Sequence, residues 1–290
     1  MEDMYEFPTV LQVNWGSFVL DGGAMFGIVP RPLWSRLIPP DDDNGIRLAA
    51  RSMVIEAGNK RVLVDCGMWP YFSPKQNNRI YKLQQPDLDA SLQQQATLTP
   101  NDVTDIIATH LHFDHVGGFA RREKETLVPR FPNARFHVQE AQLHWGLEGS
   151  VKDRGSYVSQ LLDVIRSHPL LTVHEGPWRL DPRIHVEVAH GHSPFMQTVR
   201  VECQQGTVIH TADMVPTSAH VPLPYIMAYD NRPTVTAEEK RELYGRFRDA
   251  VYFFQHDPEH PFWTIEEGEK GWRRKAPYFW NGLTRSKSGA

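Results

Sequence analysis

Ten consecutive residues constrain this chain more than any other feature: Thr109-His110-Leu111-His112-Phe113-Asp114-His115-Val116-Gly117-Gly118. Three histidines and one aspartate fall within six positions, directly after Val103 to Ala108, where apolar content and the Ile106-Ile107 pair predict a buried strand. Neutral imidazole and carboxylate are the ligands that borderline cations such as zinc prefer. Four such groups on one loop repel one another or waste burial unless something binds them. In a loop, His110 and His112 aim two imidazoles to one side while Asp114 and His115 turn toward a second point nearby, so two adjacent metals are expected. Gly117 and Gly118 permit a tight turn or a close backbone approach, with a helix expected beyond them through Phe119, Ala120, Arg121 and Arg122. A His-rich surface loop without metal is the competing reading. It is disfavoured because a chance cluster has no reason to follow a buried strand directly.

The same pattern, a strand ending in histidine or aspartate, recurs along the chain. Arg47 to Glu56 and Arg61 to Asp65 predict a hairpin around Gly58-Asn59-Lys60, with Asp65 at its exit. An aspartate ending an apolar strand is costly to bury alone, so Asp65 is expected to hydrogen-bond a metal-binding histidine. Ile184 to Val188 leads to Ala189-His190-Gly191-His192-Ser193-Pro194. Thr198 to Glu202 and Thr207 to His210 form a second hairpin that ends in Thr211-Ala212-Asp213. Val251 to Phe254 exits at Gln255-His256-Asp257-Pro258. Helices are predicted over Leu88 to Gln95, Gln139 to Leu147, Val158 to Ile165 and Lys240 to Phe247. Thr99-Pro100-Asn101-Asp102 caps a helical turn feeding the strand before the histidines, which fits an α/β layer arrangement.

Elsewhere the sequence speaks less of chemistry. Thr9 to Phe26 predicts a strand or hairpin with a glycine turn at Asp21-Gly22-Gly23. Asp41-Asp42-Asp43 reads as a solvated turn, and His137 and His144 as packed or exposed histidines rather than ligands. The 149–171 segment is expected to form an insertion over one side of the site. The basic, aromatic stretch from Trp272 to Ala290, including Trp280, is expected to pack on the body or on a second subunit, which leaves a homodimer open.

With 290 residues, 40% of them hydrophobic, the chain can bury a sizeable core, and nothing divides it into more than one domain over residues 1–290. A net charge of -4 offers no long-range attraction to a polyanion, so nucleic acid is not expected as a partner. The two cysteines, Cys66 and Cys203, sit in strand-like apolar settings that suit a reducing compartment. The start, Met1 to Glu6, is acidic, and no apolar run is long enough for a signal sequence or a bilayer span. A cytoplasmic protein without membrane contact, acting on a small molecule, is therefore expected.

Taken together, His110, His112, Asp114, His115, His192, Asp213 and His256 resemble the two-metal pattern of the metallo-beta-lactamase fold superfamily, at all seven positions and from the Asp65 hairpin to His256. The resemblance implies a four-layer αββα sandwich with two zinc ions at one edge between the sheets. It implies that His110, His112 and His192 hold the first metal, that Asp114, His115 and His256 hold the second, and that Asp213 bridges both. Within the superfamily, the stretch Asp21 to Gly27 and a histidine as last ligand resemble the quorum-quenching lactonase-like hydrolases. The implied chemistry is attack of a metal-bridging hydroxide on a carbonyl ester, foremost a lactone, with Asp114 passing a proton to the leaving alkoxide.

One departure bears on substrate. Lactonases of this group can carry a tyrosine shortly after the bridging aspartate, whereas this chain has Met214-Val215-Pro216-Thr217. Either His220 or Tyr225 supplies the missing hydrogen-bond donor, with His220 preferred and Tyr229 a more distant third, or the substrate is not an acyl-homoserine lactone. Met25, Phe26, Trp69, Phe195 and Tyr225 are candidates to line an acyl pocket. The rival readings are phosphodiester hydrolysis, which calls for Arg or Lys close to the metals, oxidation at a mononuclear iron, and a metal-binding module without turnover.

Overall fold

Along Val62-Leu63-Val64 the outer two side chains enter one apolar layer and the middle one enters another, as the period of two in a strand requires. The same split separates Ile106 from Ile107, Val208 from Ile209, and Phe253 from Tyr252 and Phe254. Strands that are apolar on both faces must be covered on both faces, and this requirement stacks the chain into layers. The computed structural model describes residues 6–279. Its strands are β1 (Thr9–Asp21), β2 (Gly45–Ala57), β3 (Lys60–Val64), β4 (Asp105–Ile107), β5 (Ala120–Glu123), β6 (Thr126–Pro129), β7 (Arg135–Gln139), β8 (Leu171–His174), β9 (Trp178–Asp181), β10 (Ile184–Ala189), β11 (Met196–Cys203), β12 (Gly206–His210), β13 (Val251–Phe253), β14 (Phe262–Gly268) and β15 (Gly271–Pro277).

One sheet runs β1-β2-β3-β4-β7-β8 and the other β15-β14-β13-β12-β11-β10-β9. Between them lies a layer of Met53, Ile55, Val62, Val64, Ile107, Val186, Val199, Val208 and Phe253. The helices Leu88–Ala96 and Ser159–Arg166 cover the outer face of the first sheet, burying Leu88, Leu92, Leu161, Leu162 and Ile165. The helix Pro233–Arg246 covers the second sheet with Leu243 and Tyr244. The order is therefore helix, sheet, sheet, helix, the αββα sandwich that the sequence resemblance implies. No helix among the described residues is long and apolar enough to cross a membrane.

Strand direction decides where the ligand-type residues emerge. β3 and β4 are parallel, as are β12 and β13, so each pair delivers its C-terminal residues to the same side. Two turns at these exits are made in the left-handed region, Asp65 at φ 60° and Ala212 at φ 48°. Aspartate tolerates that conformation, whereas alanine gives up of order 1 kcal/mol to adopt it. The strained residue stands immediately before Asp213, whose carboxylate it aims.

Some local expectations are corrected. Asp21-Gly22-Gly23 does not turn a hairpin: Asp21 accepts a hydrogen bond from Ala24 N at 2.7 Å and caps the short helix Gly22–Phe26. Residues after Gly118 form no helix either. Ala120–Glu123 pairs with Thr126–Pro129 as the β5–β6 hairpin, where β-branched Thr126 and Val128 favour extended backbone. The helix expected over Lys240 to Phe247 begins earlier, with Pro233 in its first turn. Of the C-terminal stretch, Trp272 lies in β15 and packs against Tyr244. Residues 280–290, with Trp280, and residues 1–5 lie outside the described residues.

Gly117 and Gly118 let the histidine loop lie directly against the Asp65 loop. A Cβ on Gly118 would stand 2.0 Å from Cys66 O, and one on Gly117 1.9 Å from Trp69 N. Both obstacles are backbone, which cannot swing aside. Gly118→Ala is expected to lower unfolding stability by about 2 kcal/mol or more, read as a lower urea midpoint. An unchanged midpoint would contradict this close approach.

Candidate metal centre

The strand exits bring together two groups of ligand-type side chains. His110, His112 and His192 form one, and Asp114, His115, Asp213 and His256 the other, with the ligand atoms of each group within 4.8 Å of one another. In the first, His112 Nδ1 lies 3.0 Å from His110 Nε2 and 3.3 Å from His192 Nε2. In the second, His115 Nε2 and His256 Nε2 are 3.2 Å apart. Asp213 stands between the groups: its Oδ1 is 3.3 Å from both His115 Nε2 and His256 Nε2, and its Oδ2 is 3.5 Å from His192 Nε2. Asp114 Oδ2 is 3.6 Å from His256 Nε2 and 4.0 Å from His115 Nε2. All seven are buried.

Four of the five imidazoles are oriented from behind by an acceptor on their other nitrogen. His115 Nδ1 lies 2.8 Å from Asp65 Oδ2, His192 Nδ1 2.9 Å from Asp230 Oδ1, and His256 Nδ1 2.8 Å from the Ala49 carbonyl. His110 Nδ1 is 3.0 Å from Thr109 Oγ1, which itself donates to Asp65 at 2.8 Å. Such contacts place the proton on Nδ1 and leave the Nε2 lone pair turned inward. His112 faces in with Nδ1 instead. Its Nε2 is buried without a hydrogen-bond partner among the described residues, and the Tyr157 ring stands edge-on at 4.9 Å.

These residues fit divalent cations on their own chemistry. Asp213 Oδ1 is fully buried and takes no hydrogen bond among the described residues. Imidazole nitrogens converge at 3.0 to 3.3 Å, a spacing that lone pairs accept only around a proton or a cation. Burial, with neighbouring histidines, holds His110 and His112 well below the usual histidine range, so both are neutral donors. Burial works against charge on His115 too, but Asp213, Asp65 and Asp114 outweigh it and hold that imidazole well above the usual range. Burial likewise opposes the Asp213 carboxylate, while His115 and His256 hold it well below the usual range. The second group is thus a place where the protein favours positive charge. Three imidazoles on one side, and two imidazoles with two carboxylates on the other, are ordinary zinc donor sets.

The centre forms the floor of a cavity of about 260 Å³. Leu20, Met25, Leu48, Ile80, Phe113 and Met227 make its apolar wall; Tyr81, Tyr229, Lys152 and Asp153 add polar groups. Lys152, Asp153, Gly155 and Ser156 come from the segment expected to lie over the site, and they do line it. Of the proposed pocket residues, only Met25 reaches the cavity. Phe26 and Trp69 are core, Phe195 lines a separate surface groove, and Tyr225 packs edge-on against Phe26 beside another groove.

His220 and Tyr225 are not brought to the centre. His220 stacks on Phe26 at 4.4 Å, and both its nitrogens are engaged, Nδ1 with Thr217 Oγ1 at 2.7 Å and Nε2 with the Met25 carbonyl at 2.8 Å. Burial pushes its pKa down to about 3, so it is a neutral structural link. The loop carrying both residues is held by the buried Lys240 ammonium, which donates to the carbonyls of His220, Pro222 and Tyr225 at 2.6, 2.8 and 3.0 Å. Sequence reading missed Asp230, Thr109 and Lys152. Only Thr109 carried a signal, as a hydroxyl between a buried strand and the first histidine.

Residues 45–256 match the metallo-beta-lactamase superfamily. An N-acyl homoserine lactonase of Bacillus thuringiensis is 25% identical over 181 residues, 61% of this chain; the chain spans 65% of the length of that relative. A probable metal-dependent hydrolase from Staphylococcus aureus superposes with a TM-score of 0.83 at 25% identity, covering 96% of this chain and 99% of that one. A dizinc quorum-quenching lactonase in complex with a product superposes with a TM-score of 0.78 at 18% identity, covering 96% and 100%, a likeness of fold.

Asp65 receives the Thr109 N–H and O–H and orients His115. Asp65→Asn replaces an acceptor by a donor on one side of that arrangement. Metal affinity, measured by competition with a chromogenic chelator, is expected to fall roughly 10- to 100-fold. Affinity equal to that of the unaltered protein would show that Asp65 serves folding alone.

Proposed function

The chain belongs to the metallo-beta-lactamase superfamily, and from that premise we propose a hydrolase with two zinc ions that cleaves a carbonyl ester, foremost a lactone. The observation that carries the reading is the Asp213 carboxylate, which turns Oδ1 to His115 and His256 and Oδ2 to His192. A cation in either group would share it. Two divalent cations held by these residues would supply an activated water at neutral pH and polarise the scissile carbonyl.

The chain's own residues account for the rest. Asp65, Asp230 and the Ala49 carbonyl hold three imidazoles in fixed orientation, so little reorganisation accompanies the reaction. Asp114 lines the cavity and takes no hydrogen bond among the described residues. Beside its place in the second metal group, its carboxylate would take the proton lost by the attacking water and return it to the leaving alkoxide. The apolar wall from Leu20 to Met227 suits an acyl group and excludes bulk water. Lys152 is the one lysine or arginine among the described residues lining the cavity. A phosphodiester would call for more positive charge near the centre. The lactonase relatives add support for a lactone.

Zinc-loaded protein is expected to open a γ-lactone and to leave bis(p-nitrophenyl) phosphate at the background rate. Dialysis against a strong chelator should abolish the activity, and added zinc should restore it at close to two equivalents. Diester cleavage faster than lactone opening, or lactone opening that survives complete metal removal, would overturn the reading.

A further inference from the structure

Asp213 is aimed by a residue held in a conformation that its own side chain disfavours. Ala212 sits at φ 48°, in the left-handed region, immediately before the carboxylate that faces both ligand groups. Such a backbone persists only where its surroundings hold it. Two side chains do so here. Thr211 Oγ1 donates to the Val215 carbonyl at 2.9 Å across the turn Ala212–Met214. His210, the last residue of β12, turns Nδ1 back along the chain and accepts the Ala212 N–H at 3.1 Å. An asparagine makes the same link in an Asx turn, where its side chain accepts the N–H two residues on.

His210 has no place in the chemistry above. Its ring is fully buried and stacks at 5.0 Å on Phe253, its partner on the neighbouring strand β13. Its Nε2 is buried without a hydrogen-bond partner among the described residues. A buried N–H left unpaired is costly, and a phenyl ring would fill the same space without that cost. What the imidazole adds is the acceptor for Ala212. Burial pushes its pKa down to about 4, so the ring is neutral and Nδ1 keeps its lone pair at neutral pH. We propose that His210 is a positioning residue for Asp213: by accepting the Ala212 N–H it holds the left-handed turn that presents the carboxylate to both ligand groups.

This inference rests on the two-cation reading, and the experiment separates the two. Zinc affinity of the whole protein would be measured by competition with a chromogenic chelator, alongside the visible absorption of the cobalt-loaded form, which reports ligand geometry. His210→Phe keeps a ring against Phe253 and removes the acceptor, whereas His210→Asn keeps an acceptor for the N–H two residues on and loses the ring. Ala212→Gly, added to His210→Phe, lets the turn form without support, since glycine enters the left-handed region freely. His210→Phe is expected to weaken zinc binding roughly 10-fold and to shift the cobalt bands, with His210→Asn and the double variant both within about threefold of the unaltered protein. A residue that merely fills the core would give the opposite order, His210→Asn the weakest and His210→Phe unchanged. That order, or a double variant no better than His210→Phe, would overturn the inference, while two equivalents of zinc in the unaltered protein would leave the metal reading standing. Should His210→Phe not fold, a folded, zinc-binding double variant supports the inference and an unfolded one overturns it. Fewer than two equivalents bound by the unaltered protein would overturn both.

Discussion

One buried carboxylate, Asp213, holds the account together, because it faces two groups of ligands that approach it from different parts of the chain. His110, His112 and His115 come from the exit of β4, His192 from the loop before β11, and His256 from the exit of β13. Burying that many polar groups side by side costs several kcal/mol per uncompensated charge. Divalent cations in the two groups would offset that cost. The sandwich supplies the rigidity: strands covered on both faces have no freedom to withdraw the ligands into water, so the ends of β4, β12 and β13 must present them together.

The second level of order lies behind the ligands. Asp65, at the end of β3, receives both donors of Thr109 and orients His115, so one side chain couples two loops whose backbones are also joined through Cys66 N to the His115 carbonyl at 2.8 Å. The two adjacent glycines make that contact possible, since a Cβ on either would meet backbone. Ligand geometry here follows from a backbone approach that few other residues permit.

Much of this was legible in the sequence. Period-two apolar runs marked most of the principal strands, and the histidines and aspartates stood at their ends, where a buried charge must find a partner. Asp65 could be read for that reason. Asp230 could not, because its role depends on a loop that folds back beneath His192 and carries no periodicity. His220 misled for a related reason. Its sequence context shows a histidine after the Asp213 turn, but the contacts that engage both its nitrogens, Thr217 and the Met25 carbonyl, join one neighbour to a residue far away in the chain. The cavity wall was equally hidden, since Leu20 and Leu48, on the paired strands β1 and β2, meet Met227 only after its loop has folded back onto the Gly22–Phe26 helix. At Asp21 the sequence is ambiguous, because a glycine pair after a polar residue fits a turn and a helix cap equally well.

The central claim is that one carboxylate lies between two cations held by His110, His112 and His192 on one side and by Asp114, His115 and His256 on the other. Anomalous scattering from zinc-loaded crystals measures this most directly. The account predicts two peaks about 3.5 to 4 Å apart, with Asp213 in contact with both. A single peak, or two peaks of which one lies away from these seven residues, would contradict it.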